Sequence, residues 1–273
     1  MITRAAVLGQ PIGHSLSPVL HRAAYAALDL TDWRYDPVEC GEADLAGFVG
    51  GLGPEWAGLS LTMPLKRTVL AVADEVSPLA RAVGAANTLV LRGGGWRAEN
   101  TDVAGIVAAL REAGVTAPAQ TVLLGAGGTA QAALAALREI GVPRPTVLVR
   151  DPGRAGDLGA AGERLGVRPA IHGWARLRAA ADADLIISTV PAGAADVLAD
   201  LPLRPPTTVL DVVYAPWPTP LAAAAAAAGC RVVSGLAMLL HQAAAQVRLM
   251  TGHEAPVDAM RTALTAAVGQ PAG

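Results

Sequence analysis

One lysine, Lys66, stands among twenty arginines in this 273-residue chain. Arginine supplies charge and stays protonated at any accessible pH, whereas an ammonium can both give and take a proton, so a titrating role is what would hold a lysine in place. The chain has only two asparagines, Asn87 and Asn100, each followed by a threonine. Asn87 offers an amide that donates and accepts, which a polyhydroxylated ligand demands; an ordinary turn residue is the other reading of it. In His14-Ser15-Leu16-Ser17-Pro18 the hydroxyls of Ser15 and Ser17 would share a face if the backbone were extended, and could converge on one acceptor such as a carboxylate. The same run reads equally as a helix start, with Ser17 as N-cap and Pro18 at the first helical position. Thr62-Met63-Pro64-Leu65-Lys66 follows the apolar run Ala57 to Leu61. That places Lys66 at the carboxyl end of a strand, the edge where α/β proteins collect ligands. Asp102, after Asn100-Thr101 and before a helical pattern, is a carboxylate able to hold and polarise that ammonium, and a capping role is compatible with both.

A second constellation is Gly125-Ala126-Gly127-Gly128-Thr129-Ala130, which fits G-x-G-x-x-[GA] directly between an apolar strand and a helical segment. The first glycine permits a tight turn, the second lets backbone approach a pyrophosphate, and small Ala130 allows close helix–strand packing, with helix N-terminal amides facing the phosphates. At the end of the next strand stand Arg150, Asp151 and Arg154. Two guanidinium forks there suit a ribose 2′-phosphate and favour NADP over NAD, while Asp151 would oppose that phosphate if it pointed the same way.

The elements that must position these groups alternate in α/β fashion. Strands are expected at Ala5 to Gly9, Arg34 to Val38, Ala57 to Thr62, and in a hairpin Thr88 to Arg92 and Gly95 to Ala98; helices are expected at Pro18 to Leu28 and Val103 to Ala113. From Thr121 a second alternation begins, with strands at Thr121 to Leu124, Thr146 to Val149, Leu185 to Ser188 and Thr208 to Val212, the rhythm of a doubly wound parallel sheet. Helices Gly235 to Met250 and Pro256 to Val268 are too few for a domain and should fold back on the N-terminal half, with the ligand cleft between the two domains. The net charge of −2, with 52% hydrophobic and 16% charged residues, speaks against nucleic-acid and polybasic membrane binding and for a small-molecule partner. Cys40 and Cys230 lie far apart with no metal-ligand spacing, and no apolar run reaches membrane length. A cytoplasmic enzyme with no metal is the expectation, and monomer or homodimer is left open.

Taken together, the motifs resemble those of the shikimate dehydrogenase family. The matching pieces, in order, are Gly9 to Pro18, Leu61 to Lys66, Gly84 to Thr88, Asn100-Thr101-Asp102, Gly125 to Ala130, Asp211 to Pro216 with Thr219-Pro220-Leu221, and Gly235 through Met238-Leu239 to Gln242. The resemblance implies a substrate domain made of residues 1–102 and 236–273 and an NADP-binding Rossmann-type domain, 103–235. It implies that Ser15 and Ser17 bind a substrate carboxylate, that Thr62, Asn87, Asp102 and Gln242 contact ring hydroxyls with Tyr214 beside them, and that Lys66 and Asp102 form the catalytic pair. Gly125 to Ala130, Arg150, Arg154 and Gly235 are assigned to the cofactor. The implied reaction is reversible NADPH-dependent reduction of 3-dehydroshikimate to shikimate, in the route to chorismate and the aromatic amino acids. Val149 and Asp151 depart from the polar pair that usually flanks the phosphate-reading arginine. The alternatives are an NAD-dependent quinate/shikimate dehydrogenase and a non-catalytic nucleotide-binding regulator on the same fold.

Overall fold

The computed structural model describes residues 2–269 and divides into two compact units, one running to Thr101 and resuming at Leu239, the other Asp102–Met238.

The first unit opens with β1 (Thr3–Gly9), α1 (Ser17–Ala27), β2 (Trp33–Glu39), α2 (Leu45–Gly50) and β3 (Trp56–Leu61), then α3 (Val69–Val72), β4 (Glu75–Val76), α4 (Pro78–Val83), β5 (Thr88–Arg92) and β6 (Gly95–Glu99). Its sheet runs β2-β1-β3-β5-β6-β4. The βαβ rhythm expected for the opening strands holds for β1, β2 and β3, which pair in parallel, and the expected hairpin forms as β5 and β6, with β5 also antiparallel to β3. Gly93 and Gly94 close that hairpin with φ of +59° and +86°, the two-residue turn whose twist matches a strand pair. Ala5 to Leu8 in β1 are buried, as a central strand covered on both faces requires. Leu8, Leu59, Leu61, Leu65 and Leu89 build the core on one side of this sheet.

The second unit contains α5 (Asp102–Glu112), β7 (Thr121–Leu124), α6 (Gly128–Glu139), β8 (Thr146–Val149), α7 (Gly156–Leu165), β9 (Ala170–Gly173), β10 (Leu185–Ser188), β11 (Thr208–Asp211), α8 (Pro220–Ala227) and β12 (Arg231–Ser234). All its strands are parallel, in the order β12-β11-β10-β7-β8-β9. The strand order therefore reverses between β7 and β10, the switch point at which open α/β sheets bind ligands. Val122, Leu124, Leu148, Ile186 and Val209 belong to one apolar core cluster. The chain ends with α9 (Gly235–Thr251) and α10 (Val257–Val268), and α10 packs on α1. Among the described residues no helix is long and apolar enough to cross a membrane, and no cluster of three His, Cys, Asp or Glu side chains could hold a metal ion.

Two local expectations are corrected. Leu16, not Ser17, occupies the N-cap of α1, without a side-chain cap, and Ser17 is the first helical residue. Leu16 is helical in φ and ψ (−88°, 0°), so residues 15–17 are not extended and the shared-face argument for Ser15 and Ser17 fails; a turn closed by Ser15 N–H on the Ile12 carbonyl (3.0 Å) sets their directions instead. Likewise α5 begins at Asp102 itself, where its charge complements the helix N-terminus.

Candidate active site

The loops after β1 and β3 lie side by side. Gln10 N–H donates to the Met63 carbonyl at 3.0 Å, and a Cβ on Gly9 would stand 2.3 Å from Thr62 Cγ2, so only glycine lets the two loops approach this closely. This brings the segment carrying Ser15 and Ser17 next to the one carrying Thr62 and Lys66. Ser15 Oγ accepts from Ser17 N–H at 3.3 Å, and Ser17 is buried. Thr62 and Lys66 are each half-buried. The Lys66 carbonyl accepts from Ala86 N–H at 2.7 Å, which fixes its backbone one residue from Asn87.

Asn87 is the hub. It is 2% exposed, and its orientation is fixed because Thr101 N–H donates to Oδ1 at 2.7 Å. Its Nδ2 then donates to Thr101 Oγ1 (2.9 Å) and to Gln242 Oε1 (3.0 Å), while Thr88 Oγ1 donates to Oδ1 at 3.0 Å. Gln242 Nε2 gives one hydrogen to the Leu239 carbonyl (3.1 Å). Thr101 is thus clamped to Asn87 by side chain and main chain, and Asp102, 3% exposed, is the next residue. Four of the expected polar positions, Thr62, Lys66, Asn87 and Gln242, therefore belong to one end of the first unit, with the Ser15 and Ser17 loop against them.

Sequence reasoning missed Thr101, Ser60 and Gln246. Ser60 and Gln246, both buried, are bonded at 2.8 Å, and Gln246 Nε2 reaches the Asn87 carbonyl at 3.1 Å. The signal was present: Gln242 and Gln246 sit four apart on α9 with only alanines between them and so lie on one face.

The remaining candidates lie in the second unit. Gly125 follows β7 with φ +107°, and a Cβ there would meet Thr189 Oγ1 at 2.6 Å. Gly127 is the N-cap of the twelve-residue α6 and provides no side-chain cap, so the first amides of Gly128, Thr129 and Ala130 are not claimed by a capping side chain. A Cβ on Gly127 would meet nothing within 4 Å. Tight turn, open space and uncapped amides are the features a pyrophosphate needs, so the donor set fits a dinucleotide. Arg150 and Arg154 are exposed on the turn after β8. Asp151 caps its own turn, its Oδ1 accepting from Gly153 N–H at 2.9 Å.

After β11, the buried Asp211 accepts from Thr219 Oγ1 (2.8 Å) and Val213 N–H (3.1 Å), and Thr219 caps α8 by accepting from Ala222 N–H at 3.1 Å. Burial raises the Asp211 carboxyl above its ordinary value, against the lowering effect of those bonds. This bracket closes the loop carrying Tyr214, whose half-buried hydroxyl is also pushed up by burial. Gly235 backs the same loop so closely that a Cβ would lie 2.0 Å from the Val212 carbonyl oxygen.

Against known proteins, residues 7–89 match the model of the shikimate dehydrogenase substrate binding domain and residues 235–265 that of the shikimate 5′-dehydrogenase C-terminal domain. A shikimate dehydrogenase (NADP(+)) from Moorella thermoacetica is 38% identical, covering 98% of this chain and 94% of that protein. The chain belongs to the shikimate dehydrogenase family. Among solved structures of that family, the enzyme from Mycobacterium tuberculosis superposes with a TM-score of 0.88 at 49% identity, over 97% of this chain and 99% of the other. The Thermus thermophilus enzyme in complex with NADP(H) and shikimate gives 0.85 at 33% identity, over 97% and 100%.

Proposed function

We propose that the chain is a shikimate dehydrogenase, catalysing the reversible NADPH-dependent reduction of 3-dehydroshikimate to shikimate in aromatic amino-acid biosynthesis, in the cytoplasm. The observation that carries this reading is the buried Asn87–Thr101–Gln242 cluster, whose hub adjoins the backbone anchor of Lys66 and whose Thr101 precedes Asp102. In this reading Ser15 and Ser17 take the substrate carboxylate, and Thr62, Asn87, Asp102 and Gln242 read the ring hydroxyls with Tyr214 beside them. Gln242 has a second Nε2 hydrogen to offer; both Asn87 hydrogens are engaged within the protein, so Asn87 serves the ligand chiefly by holding Gln242 and Thr101.

Reducing a ketone places negative charge on its oxygen. The Lys66 ammonium delivers a proton there, and the Asp102 carboxylate orients and stabilises that ammonium. In the oxidative direction the same pair receives the proton, and the two groups act as one coupled acid–base unit. Gly125 to Ala130, Arg150, Arg154 and Gly235 would hold NADP, which supplies the hydride chemistry when bound. The two arginines suit the 2′-phosphate, and Asp151, exposed and engaged in capping its own turn, opposes that phosphate only weakly.

The test is an activity grid of shikimate or quinate against NADP or NAD, read by nicotinamide absorbance. Shikimate with NADP is expected to dominate; preference for quinate with NAD, or cofactor binding without turnover, would replace the reading. Within the grid, Lys66→Ala should lower kcat by ~10² or more while KM changes less, since proton donation is worth most in the transition state. Unchanged turnover would remove Lys66 as the donor.

A further inference from the structure

Gln246 lies one turn beyond Gln242 on α9 and is 1% exposed, yet every polar valence of its amide is used. Nε2 donates to the Asn87 carbonyl (3.1 Å) and to Thr88 Oγ1 (3.0 Å). Oε1 accepts from Ser60 Oγ at 2.8 Å and faces His21 Nε2 at 3.2 Å. An amide oxygen only accepts, so His21 carries its proton on Nε2. Complete burial pushes the His21 pKa down to about 3, so the ring is neutral there, and it stacks on Tyr35 with centroids 3.9 Å apart at 12°. The Tyr35 hydroxyl donates to Ser60 Oγ at 2.6 Å, which leaves the Ser60 proton for Gln246.

The donors therefore point one way through the whole chain: Tyr35 to Ser60 to Gln246 to Thr88 to Asn87 to Gln242 to the Leu239 carbonyl. Neither Asn87 nor Gln246 can turn its amide over, because the Thr101 N–H only donates and the Asn87 carbonyl only accepts. Two side-chain amides one turn apart on α9 thus hold Asn87, Gln242 at its side chain and Gln246 at its main-chain carbonyl.

We infer that Gln246, buttressed by neutral His21, is a positioning residue that, by fixing Asn87, sets the Gln242 amide in the orientation substrate meets. This rests on the proposed reading that the Gln242 amide forms part of the substrate face. Replacing Gln246 by an apolar side chain of similar length leaves the Ser60 and His21 donors without their acceptor and frees α9 to shift the Gln242 amide.

The experiment is steady-state kinetics of Gln246→Met, with near-UV circular dichroism confirming the fold and the wild-type substrate grid run beside it. Expected is a rise of about tenfold in KM for shikimate, a smaller change in kcat, and a KM for NADP within twofold. A folded Q246M whose shikimate KM stays within twofold, or whose two KM values rise by the same factor, overturns the inference. If Q246M does not fold, His21→Phe, which keeps the stack on Tyr35 but deletes the donor, decides it: about threefold in shikimate KM supports, no change overturns. Should the wild type fail to oxidise shikimate, the functional reading falls separately. The side-chain amide NMR resonances of Asn87 and Gln242 then decide, a shift in the folded variant supporting the inference and unchanged positions overturning it.

Discussion

The two units place their chemistry in different parts of the polypeptide. In the first, the candidate site consists of side chains: a buried amide hub bonded to hydroxyls and a second amide, beside a lysine whose main chain is anchored next to the hub. In the second, it consists chiefly of backbone: a strand, a glycine turn and uncapped helix amides above an apolar core. Buried polar side chains are satisfied collectively, so removing one leaves several partners unpaired. A backbone site depends on conformation and free volume, so adding a methyl group does the damage. The same number of atoms changed therefore fails in opposite ways in the two units, by deletion in one and by addition in the other.

The largest expected effect is at Gly125. Its φ of +107° excludes an L side chain, and the clash partner Thr189 Oγ1 is itself tied to the Leu124 carbonyl at 2.7 Å and cannot swing aside. Gly125→Ala should lose more than ~10² in NADP affinity by calorimetric titration and melt earlier. Gly127→Ala sharpens the point: with φ −77° and nothing within 4 Å of the added Cβ, it should keep the wild-type melting temperature and lose affinity only. Equal stability losses in the two variants would show that the loop's role is structural rather than ligand clearance.

Next comes the deletion case. Asn87→Ala strands the Thr101 N–H, the Gln242 oxygen and the Thr88 hydroxyl in a buried setting. At roughly 1–3 kcal/mol for each unsatisfied group, and less than their sum after relaxation, urea unfolding should show a loss of several kcal/mol alongside lost activity. Ile187→Val in the apolar core of the second unit should cost about 1 kcal/mol and leave turnover alone. A stable N87A would break the comparison.

This asymmetry also governed what could be read in advance. The glycine turn was legible because backbone conformation is written locally: a glycine pattern after an apolar strand defines the turn without help from distant residues. Lys66, Asn87 and Gln242 were legible as residue types, but not the Thr101 clamp or the Gln246 anchor, since these join positions separated by 14 and 159 residues. Ser17 misled because Ser-Pro is a strong start signal, yet the Ile12–Ser15 turn delivers the chain to α1 already helical at Leu16. Strand β9 went unseen because it is a four-residue edge strand, partly exposed, whose Ala170-Ile171-His172-Gly173 has no alternation to detect.

A smaller effect separates the units by pH. His21 binds a proton near 6.5 when unfolded but only near 3 when folded, so its contribution is complete above about pH 6.5 and is lost as pH falls toward 3. Asp211 runs the other way: its raised folded value means that protonation relieves a buried charge, so its contribution improves as pH falls through that value. His21→Phe should flatten the acid limb of stability measured by urea unfolding from pH 7 to 4, and Asp211→Asn should steepen it. If neither variant alters the slope, the acid limb belongs to surface carboxylates instead.

The smallest effect belongs to Asp151, where the two kinds of site meet: a side chain whose work is to shape backbone. Its carboxylate is exposed and already engaged with Gly153 N–H, so its field on Arg150 and Arg154 is screened by solvent and salt. An asparagine oxygen caps such a turn about as well as aspartate. Asp151→Asn should therefore keep the turn while deleting one negative charge from the arginine pair, lowering the KM for NADP by about two- to threefold at low ionic strength. The difference should vanish as salt is raised, and the KM for NAD, which has no 2′-phosphate, should not move. A change beyond tenfold, or one shared equally by NAD, would mean that Asp151 touches the cofactor directly and is not confined to its own turn.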